Sequence, residues 1–231
     1  MNALNFPLPV RAVAIDLDGT MLDTVEDLAI AVNHTLTELG LPTLELELVR
    51  TFVGKGLANL VQRSITASLG RDPEPALFAR ALPLYEANYE RVNGETTTIY
   101  PGVREGLEAL AQAGYALACI TNKSSRFTGP LLERIGFARY FSLVLSGDSL
   151  PKKKPDPLPL AHTARTFGVE PAQMLMIGDS INDAQAARAA GCPIFCVTYG
   201  YNEGHDVRTL DVDAIVPSLI EAARLIRRIE S

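Results

Sequence analysis

What the chain lacks narrows the reading first. It holds three cysteines in 231 residues, an odd number that builds no closed disulfide framework. Cys192 and Cys196 flank an apolar run with no His or acidic ligand beside them, so they read as buried thiols and not as a metal site. No apolar run approaches the roughly 18 residues of a membrane-spanning helix. Met1 to Arg11 carries no long apolar core behind basic residues, so no secretory leader is predicted. A basic excess is also missing: the net charge is −6 and the pI is near 5.2, which argues against a nucleic-acid partner. Only His34, His162 and His205 are available, and none sits beside a nucleophile in sequence. There is no GxxxxGK[ST] phosphate loop, no GxSxG elbow and no HExxH pair, so the chemistry those motifs serve is not expected. A cytoplasmic protein without membrane or nucleic-acid partners is the expectation.

What is present is ordinary globular composition, 47% hydrophobic and 21% charged, long enough for one domain or one domain with a modest insertion. Short apolar runs recur, each closed by a polar residue or Gly. Ala12–Ile15 runs into Asp16, Ala116–Ile120 into Thr121-Asn122, Leu143–Leu145 into Ser146, Met174–Ile177 into Gly178-Asp179, and Ile194–Val197 into Thr198. Ala214–Val216 is a candidate sixth. Continuous apolar runs fit strands covered on both faces. Helical patterns lie between most of them, at Val103–Gln112, Ser124–Ile135, Leu158–Phe167 and Asn182–Ala190, with Gly at or just past each end. Strand alternating with helix predicts a parallel sheet with right-handed crossovers. From about Thr24 to Asn93 the rhythm breaks. Leu28, Val32, Leu36 and Leu39 recur at helical spacing, and Gly56–Leu69 and Pro75–Arg91 read as further helices. The predicted fold class is α/β: a Rossmann-like parallel sheet core with helices on both faces, plus an inserted all-helical domain.

Open α/β sheets bind ligands at the carboxyl ends of their strands. The first strand delivers Asp16-Leu17-Asp18-Gly19-Thr20. Residues two apart in extended backbone share a side, so both carboxylates project together and repel unless a cation is present. Such oxygen ligands suit Mg²⁺. The fourth strand adds Asp179 and Asp183, four apart across the turn into a helix. Taken alone, Asp18-Gly19 is a turn signal and Asp183 a helix-start acid. Together, at the ends of separate parallel strands, they point to a site. Thr121 and Asn122, leading into a helix, form a candidate anion cradle, though such pairs also serve as simple caps. In Lys152-Lys153-Lys154-Pro155-Asp156-Pro157 a lysine run reads first as a solvated face. The prolines stiffen the backbone beside Lys154, which suits a positioned charge that neutralises a phosphoryl oxygen.

These residues resemble the four signature motifs of the haloacid dehalogenase (HAD) superfamily, in order and along the whole chain. Asp16-Leu17-Asp18-Gly19-Thr20 is similar to its DxDGT motif, Thr121 to the Ser/Thr motif, Lys154 to the lysine motif, and Gly178-Asp179-Ser180 with Asp183 to GDSxxD. The insertion resembles the helical cap of the C1 subclass, giving a core domain of residues 1–23 and 94–231 and a cap domain of residues 24–93. Leu22-Asp23-Thr24 with Asp27-Leu28-Ala29, Tyr100-Pro101-Gly102-Val103, Lys154-Pro155-Asp156-Pro157 and Thr198-Tyr199-Gly200-Tyr201-Asn202 resemble the bacterial phosphoglycolate phosphatase group within that superfamily.

The resemblance implies roles. Asp16 is the expected nucleophile on phosphorus, and Asp18 the acid and then the base. Mg²⁺ is expected on the Asp16 carboxylate, the Asp18 main-chain carbonyl and Asp179, oriented by Asp183. Thr121, Asn122 and Lys154 are expected on the phosphoryl oxygens. An acid at position 18 favours phosphate-ester chemistry, since an alkoxide leaving group needs a proton and a halide does not. A phosphosugar mutase, other phosphatase substrates (a sugar phosphate or pyrophosphate) and a non-catalytic binding module are the competing readings. The cap is expected to choose a small phosphorylated metabolite. Within it, Thr51-Phe52-Val53-Gly54-Lys55-Gly56 leads into a helix, with Gly54 allowing close approach and Lys55 as candidate partner of a substrate carboxylate, against the alternative of an exposed lysine on a turn. Arg63 is expected to face solvent. Which of Lys152, Lys153 and Lys154 enters the site, and the oligomeric state, stay open at this stage.

Overall fold

The computed structural model describes residues 6–229. The chain begins with strands β1 (Leu8–Val10), β2 (Ala12–Ile15) and β3 (Leu22–Asp23). Four helices follow, α1 (Val25–Glu38), α2 (Leu46–Arg50), α3 (Leu57–Leu69) and α4 (Pro75–Val92), before β4 (Thr98–Ile99). Strand and helix then alternate: α5 (Val103–Gln112), β5 (Ala116–Ile120), α6 (Ser125–Ile135), β6 (Leu143–Leu145), α7 (Leu158–Phe167), β7 (Met174–Gly178) and α8 (Ile181–Ala190). The chain closes with β8 (Ile194–Val197), β9 (Ala214–Val216), α9 (Leu219–Arg224) and β10 (Ile226–Arg228).

Six strands form the main sheet, in the order β6-β5-β2-β7-β8-β9, and every neighbouring pair is parallel. The fold is α/β with helices on both faces. The period of two along each strand shows how the faces are divided. Val13, Ile15, Leu117, Cys119, Leu175 and Ile177 enter one core with residues of α5, α6 and α9. Their alternates Ala12, Ala14, Ala118, Ile120, Met174 and Met176 enter a second core with α7 and α8. Because both faces are covered, these strands are apolar throughout and do not alternate. The chain leaves β2 for β5 and β6 on one side and crosses to β7 on the other. The carboxyl end of β2 is therefore the point where strand order reverses, where such sheets open a crevice.

Helices α1 to α4 stand outside the sheet on a third core of their own, including Val32, Leu36, Ile65, Ala81 and Tyr85. Phe127 of α6 and Tyr201 also enter it, so this core continues into the rest of the molecule at the sheet's crevice. Three features have no counterpart in the sequence reading. These are the parallel β1–β10 pair, the antiparallel β3–β4 pair where the chain leaves and rejoins the sheet, and the five-residue helix α2. Cys119, Cys192 and Cys196 are free and buried. Among the described residues, no helix is long and apolar enough to cross a membrane.

Candidate active site

Asp16 follows directly on β2, and its N–H donates to Ile177 O of the neighbouring β7 at 2.9 Å, so the ladder itself fixes it beside Gly178-Asp179. The carboxylates of Asp16, Asp179 and Asp183 are buried, and one oxygen of each lies within 4.8 Å of the others. Asp183 does two jobs. It caps α8, accepting from Ser180 N–H at 3.1 Å and Ser180 Oγ at 2.7 Å, and its other oxygen accepts from Lys154 Nζ at 2.6 Å. The helix-start acid read from sequence and the site acid are thus one residue.

Lys154 resolves the choice among the three lysines. Its side chain is 2% exposed, and its ammonium lies 2.8 Å from Asp16 and 2.6 Å from Asp183. It also donates to Ile120 O at 2.6 Å, so three oxygens surround the ammonium. Lys152 pairs instead with Asp156 at the surface, and Lys153 donates to Lys55 O.

Among the described residues, Asp179 has no ion-pair partner. It accepts from Thr20 Oγ1 at 3.2 Å and from Tyr201 N–H at 2.7 Å. Gly19, at φ +87°, passes so close that a Cβ there would stand 2.5 Å from Asp179 Oδ2. Only glycine combines that φ with that approach. Two of the three buried acids share one ammonium, and the electrostatics follow. Burial, reinforced by Asp183, pushes Asp179 up to about 7. Burial also lifts Asp16 well above the usual carboxylate range, with Lys154 opposing and Asp183 and Asp179 adding to it. Burial works against the Lys154 charge, but Asp16 and Asp183 outweigh it and hold its pKa above the ordinary lysine value.

Asp18 points elsewhere. Its carboxylate accepts from Thr24 Oγ1 at 2.6 Å and from Lys123 Nζ at 3.0 Å. Thr121 Oγ1 accepts from Lys123 N–H at 3.1 Å, leaving its own O–H as a donor. Both amide hydrogens of Asn122 are spent on carbonyls, Gly54 O at 2.9 Å and Lys154 O at 2.8 Å. The Asn122 side chain therefore ties the turn at Gly54 to the lysine loop and keeps no donor for a phosphoryl oxygen. A single cleft joins these groups, lined by Asp16, Asp18, Thr121, Lys123 and Lys154 from the core side. Gly54, Leu60, Tyr85 and Tyr89 line its opposite wall.

The sequence over residues 13–197 matches the family model described as haloacid dehalogenase-like hydrolase. The chain belongs to that family. It is 57% identical over 225 residues to a phosphoglycolate phosphatase of Nitrosospira multiformis, covering 97% of this chain and 99% of that protein. It is 53% identical to a phosphoglycolate phosphatase of Thiobacillus denitrificans, covering 97% and 99% respectively. The crystal structure of a predicted phosphoglycolate phosphatase from Haemophilus somnus superposes with a TM-score of 0.88 at 34% identity, over 92% of this chain and 96% of that one. The chain is thus an enzyme of a hydrolase family, similar over nearly its full length to proteins named as phosphoric monoester hydrolases.

Within this hydrolase the structure does not bring every sequence candidate to the cleft. Lys55 is 45% exposed at its side chain and pairs with Glu203 at 2.7 Å. It is a surface link between the turn before α3 and the loop at Glu203, and it does not line the cleft. Arg63, expected in solvent, pairs with the same Glu203 at 3.2 Å and lies 4.5 Å over the Phe52 ring. Among the cleft residues that escaped the sequence reading are Lys123, Tyr85 and Tyr89. The available signal was weak. Lys123 stands two residues beyond Thr121, and Tyr85 and Tyr89 are spaced i, i+4, which puts both on one face of α4, where their rings stack with centroids 5.7 Å apart.

Proposed function

We propose that this hydrolase is a Mg²⁺-dependent phosphatase of a small phosphorylated acid, 2-phosphoglycolate, releasing glycolate and phosphate. In this reading residues 24–93 are a cap domain over a core of residues 1–23 and 94–231. The observation that carries it is the buried set of Asp16, Asp179 and Asp183 around Lys154 at the sheet's reversal point. The names of the two relatives above 50% identity support the choice of substrate.

The donor set fits a divalent cation. Three buried carboxylates cluster, two of them sharing one ammonium, Asp179 has no ion-pair partner among the described residues, and all donors are oxygen, the ligand type Mg²⁺ prefers. Asp16, Asp179 and the Asp18 main-chain carbonyl would hold the ion, with Asp183 orienting them. Bound there, it supplies charge neutralisation for the phosphoryl oxygens.

The chain's own residues then divide the work. An Asp16 oxygen attacks phosphorus and forms an aspartyl-phosphate as the bond to the ester oxygen breaks. Asp18 gives its proton to that leaving oxygen, then takes one from the water that attacks the same phosphorus. The Asp16–phosphorus bond breaks, the carboxylate is restored, and the sum is ester plus water to alcohol plus phosphate. Lys154 holds charge beside the attacking carboxylate, and the Thr121 hydroxyl donates to a phosphoryl oxygen. Phosphoryl transfer asks mainly for position and charge, which suits a site without histidine.

The test is phosphate release over a panel of 2-phosphoglycolate, sugar phosphates, pyrophosphate and nucleotides, with and without Mg²⁺. Release from 2-phosphoglycolate that chelation abolishes, and that Asp16→Asn lowers by at least ~10³-fold, is expected. A flat response across the panel removes the substrate reading. Isomerised sugar phosphate with little free phosphate points to a mutase.

A further inference from the structure

We propose that Lys123, with the Tyr85 hydroxyl, is the site that recognises the substrate's carboxylate. This rests on the phosphatase reading above and names what selects the acid within it. Lys123 is buried in the cleft between α4 and the sheet, its side chain 5% exposed. Its ammonium lies 3.0 Å from Asp18 and donates to the Tyr89 hydroxyl. Its third contact is the long one, to Asp18 Oδ2 at 3.4 Å, and that is the bond an entering carboxylate would replace.

The other cations near the cleft are committed. Lys154 is held between Asp16 and Asp183 and also donates to Ile120 O. Lys55 and Arg63 both answer Glu203, and Lys153 donates to Lys55 O. Among the cleft's lining residues, Lys123 and Lys154 are the only basic side chains. A second anionic group brought into this cleft therefore meets Lys123.

The position is right for a carboxylate on the carbon next to the ester. If Asp18 protonates the ester oxygen, that oxygen lies within hydrogen-bond reach of Asp18. In 2-phosphoglycolate one methylene separates the ester oxygen from the carboxylate carbon. A cation 3.0 Å from Asp18 is then within reach of that carboxylate. A second, independent feature lies in the same cleft. Tyr85 Oη is buried, lines the cleft and has no hydrogen-bond partner. Leu28, Leu60 and Phe127 complete this part of the wall. A carboxylate stripped of water against such a wall needs a charged partner and a hydroxyl donor, and both are in place.

The test compares two substrates with the same ester linkage, 2-phosphoglycolate and 2-hydroxyethyl phosphate, by kcat/KM. The wild type should prefer the acid. Lys123→Met should cut that preference by about 10- to 100-fold, the loss expected for one hydrogen bond to a charged group. Lys123→Arg should restore part of it. Tyr85→Phe, which deletes one unpartnered oxygen, should lower the same ratio about 3-fold or more. Lys123→Gln serves where the methionine variant does not fold. If the Lys123 variants slow both substrates equally and keep the ratio, the lysine only positions Asp18 and the proposal is overturned. A wild type without preference for the acid overturns the substrate reading itself, before any variant is measured.

Discussion

Lys154 and Asp183 form an ion pair at 2.6 Å in which the lysine side chain is 2% exposed and the carboxylate 0%. Removing one partner of such a pair leaves the other's charge buried and uncompensated, at about 3–5 kcal/mol. Here the loss is compounded, because Lys154 also faces Asp16 at 2.8 Å. Lys154→Met should therefore destabilise the metal-free protein by about 3–5 kcal/mol in urea unfolding. Adding Asp183→Asn to it should recover part of that loss, since one of the stranded charges is removed with it. Additive losses in the double variant would show that the two side chains are not energetically paired.

The buried acids also set a pH dependence. Asp179 is raised from 3.8 to about 7, by burial first and Asp183 second, and Asp16 is raised in the same direction. Between those values the folded protein holds more protons than the unfolded chain, so this contribution to stability falls as pH rises through that window. A divalent cation needs the ionised carboxylates and adds stability by mass action. Excess Mg²⁺ should accordingly raise the melting temperature more near pH 8 than near pH 5. Comparing the two metal-induced shifts cancels groups that titrate away from the cluster. Equal shifts at both pH values, or none, would show that these carboxylates do not take up the ion.

The reach of the sequence over this site follows a physical line. Asp16, Thr121 and Asp179 were legible because each is the polar residue that stops an apolar run, and a parallel sheet sends such residues to one edge. The helices α5 and α7 were legible to the residue because Gly or Pro marks their ends. The two-residue strands β3 and β4 and the five-residue α2 carry too few positions to show a period. The choice among Lys152, Lys153 and Lys154 is made by tertiary burial against Asp16 and Asp183. Lys55 was read for its local turn, yet its charge is claimed by Glu203, 148 positions away. Lys123 and Tyr89 illustrate the same limit: their contact crosses from α4 to the end of β5, and neither residue's local sequence marks it.

Asp27 was legible only as part of a motif resemblance, and the structure gives it a distinct mechanical place. It lies in the first turn of α1, fully buried, and takes four hydrogen bonds from the segment that leads back to the sheet. Gly94 N–H donates at 2.9 Å, Thr96 N–H and Thr96 Oγ1 at 2.8 Å each, and Thr97 Oγ1 at 2.6 Å. One carboxylate thus binds the outgoing and returning chain crossings together, just beyond the β3–β4 pair. Asp27→Ala strands one buried and three part-buried donors, each worth up to about 1–3 kcal/mol when left unsatisfied, with some regained by water. A loss of about 3 kcal/mol or more in urea unfolding is expected. Thr97→Val, which removes one of the four bonds while leaving the carboxylate, should cost about 1 kcal/mol. Because Asp27 does not line the cleft, activity of the folded Asp27→Ala fraction should respond through the placement of helices α1 to α4, as parallel losses for the acid and for 2-hydroxyethyl phosphate. A change in the ratio between the two would mean that Asp27 acts on substrate choice and not on the hinge alone.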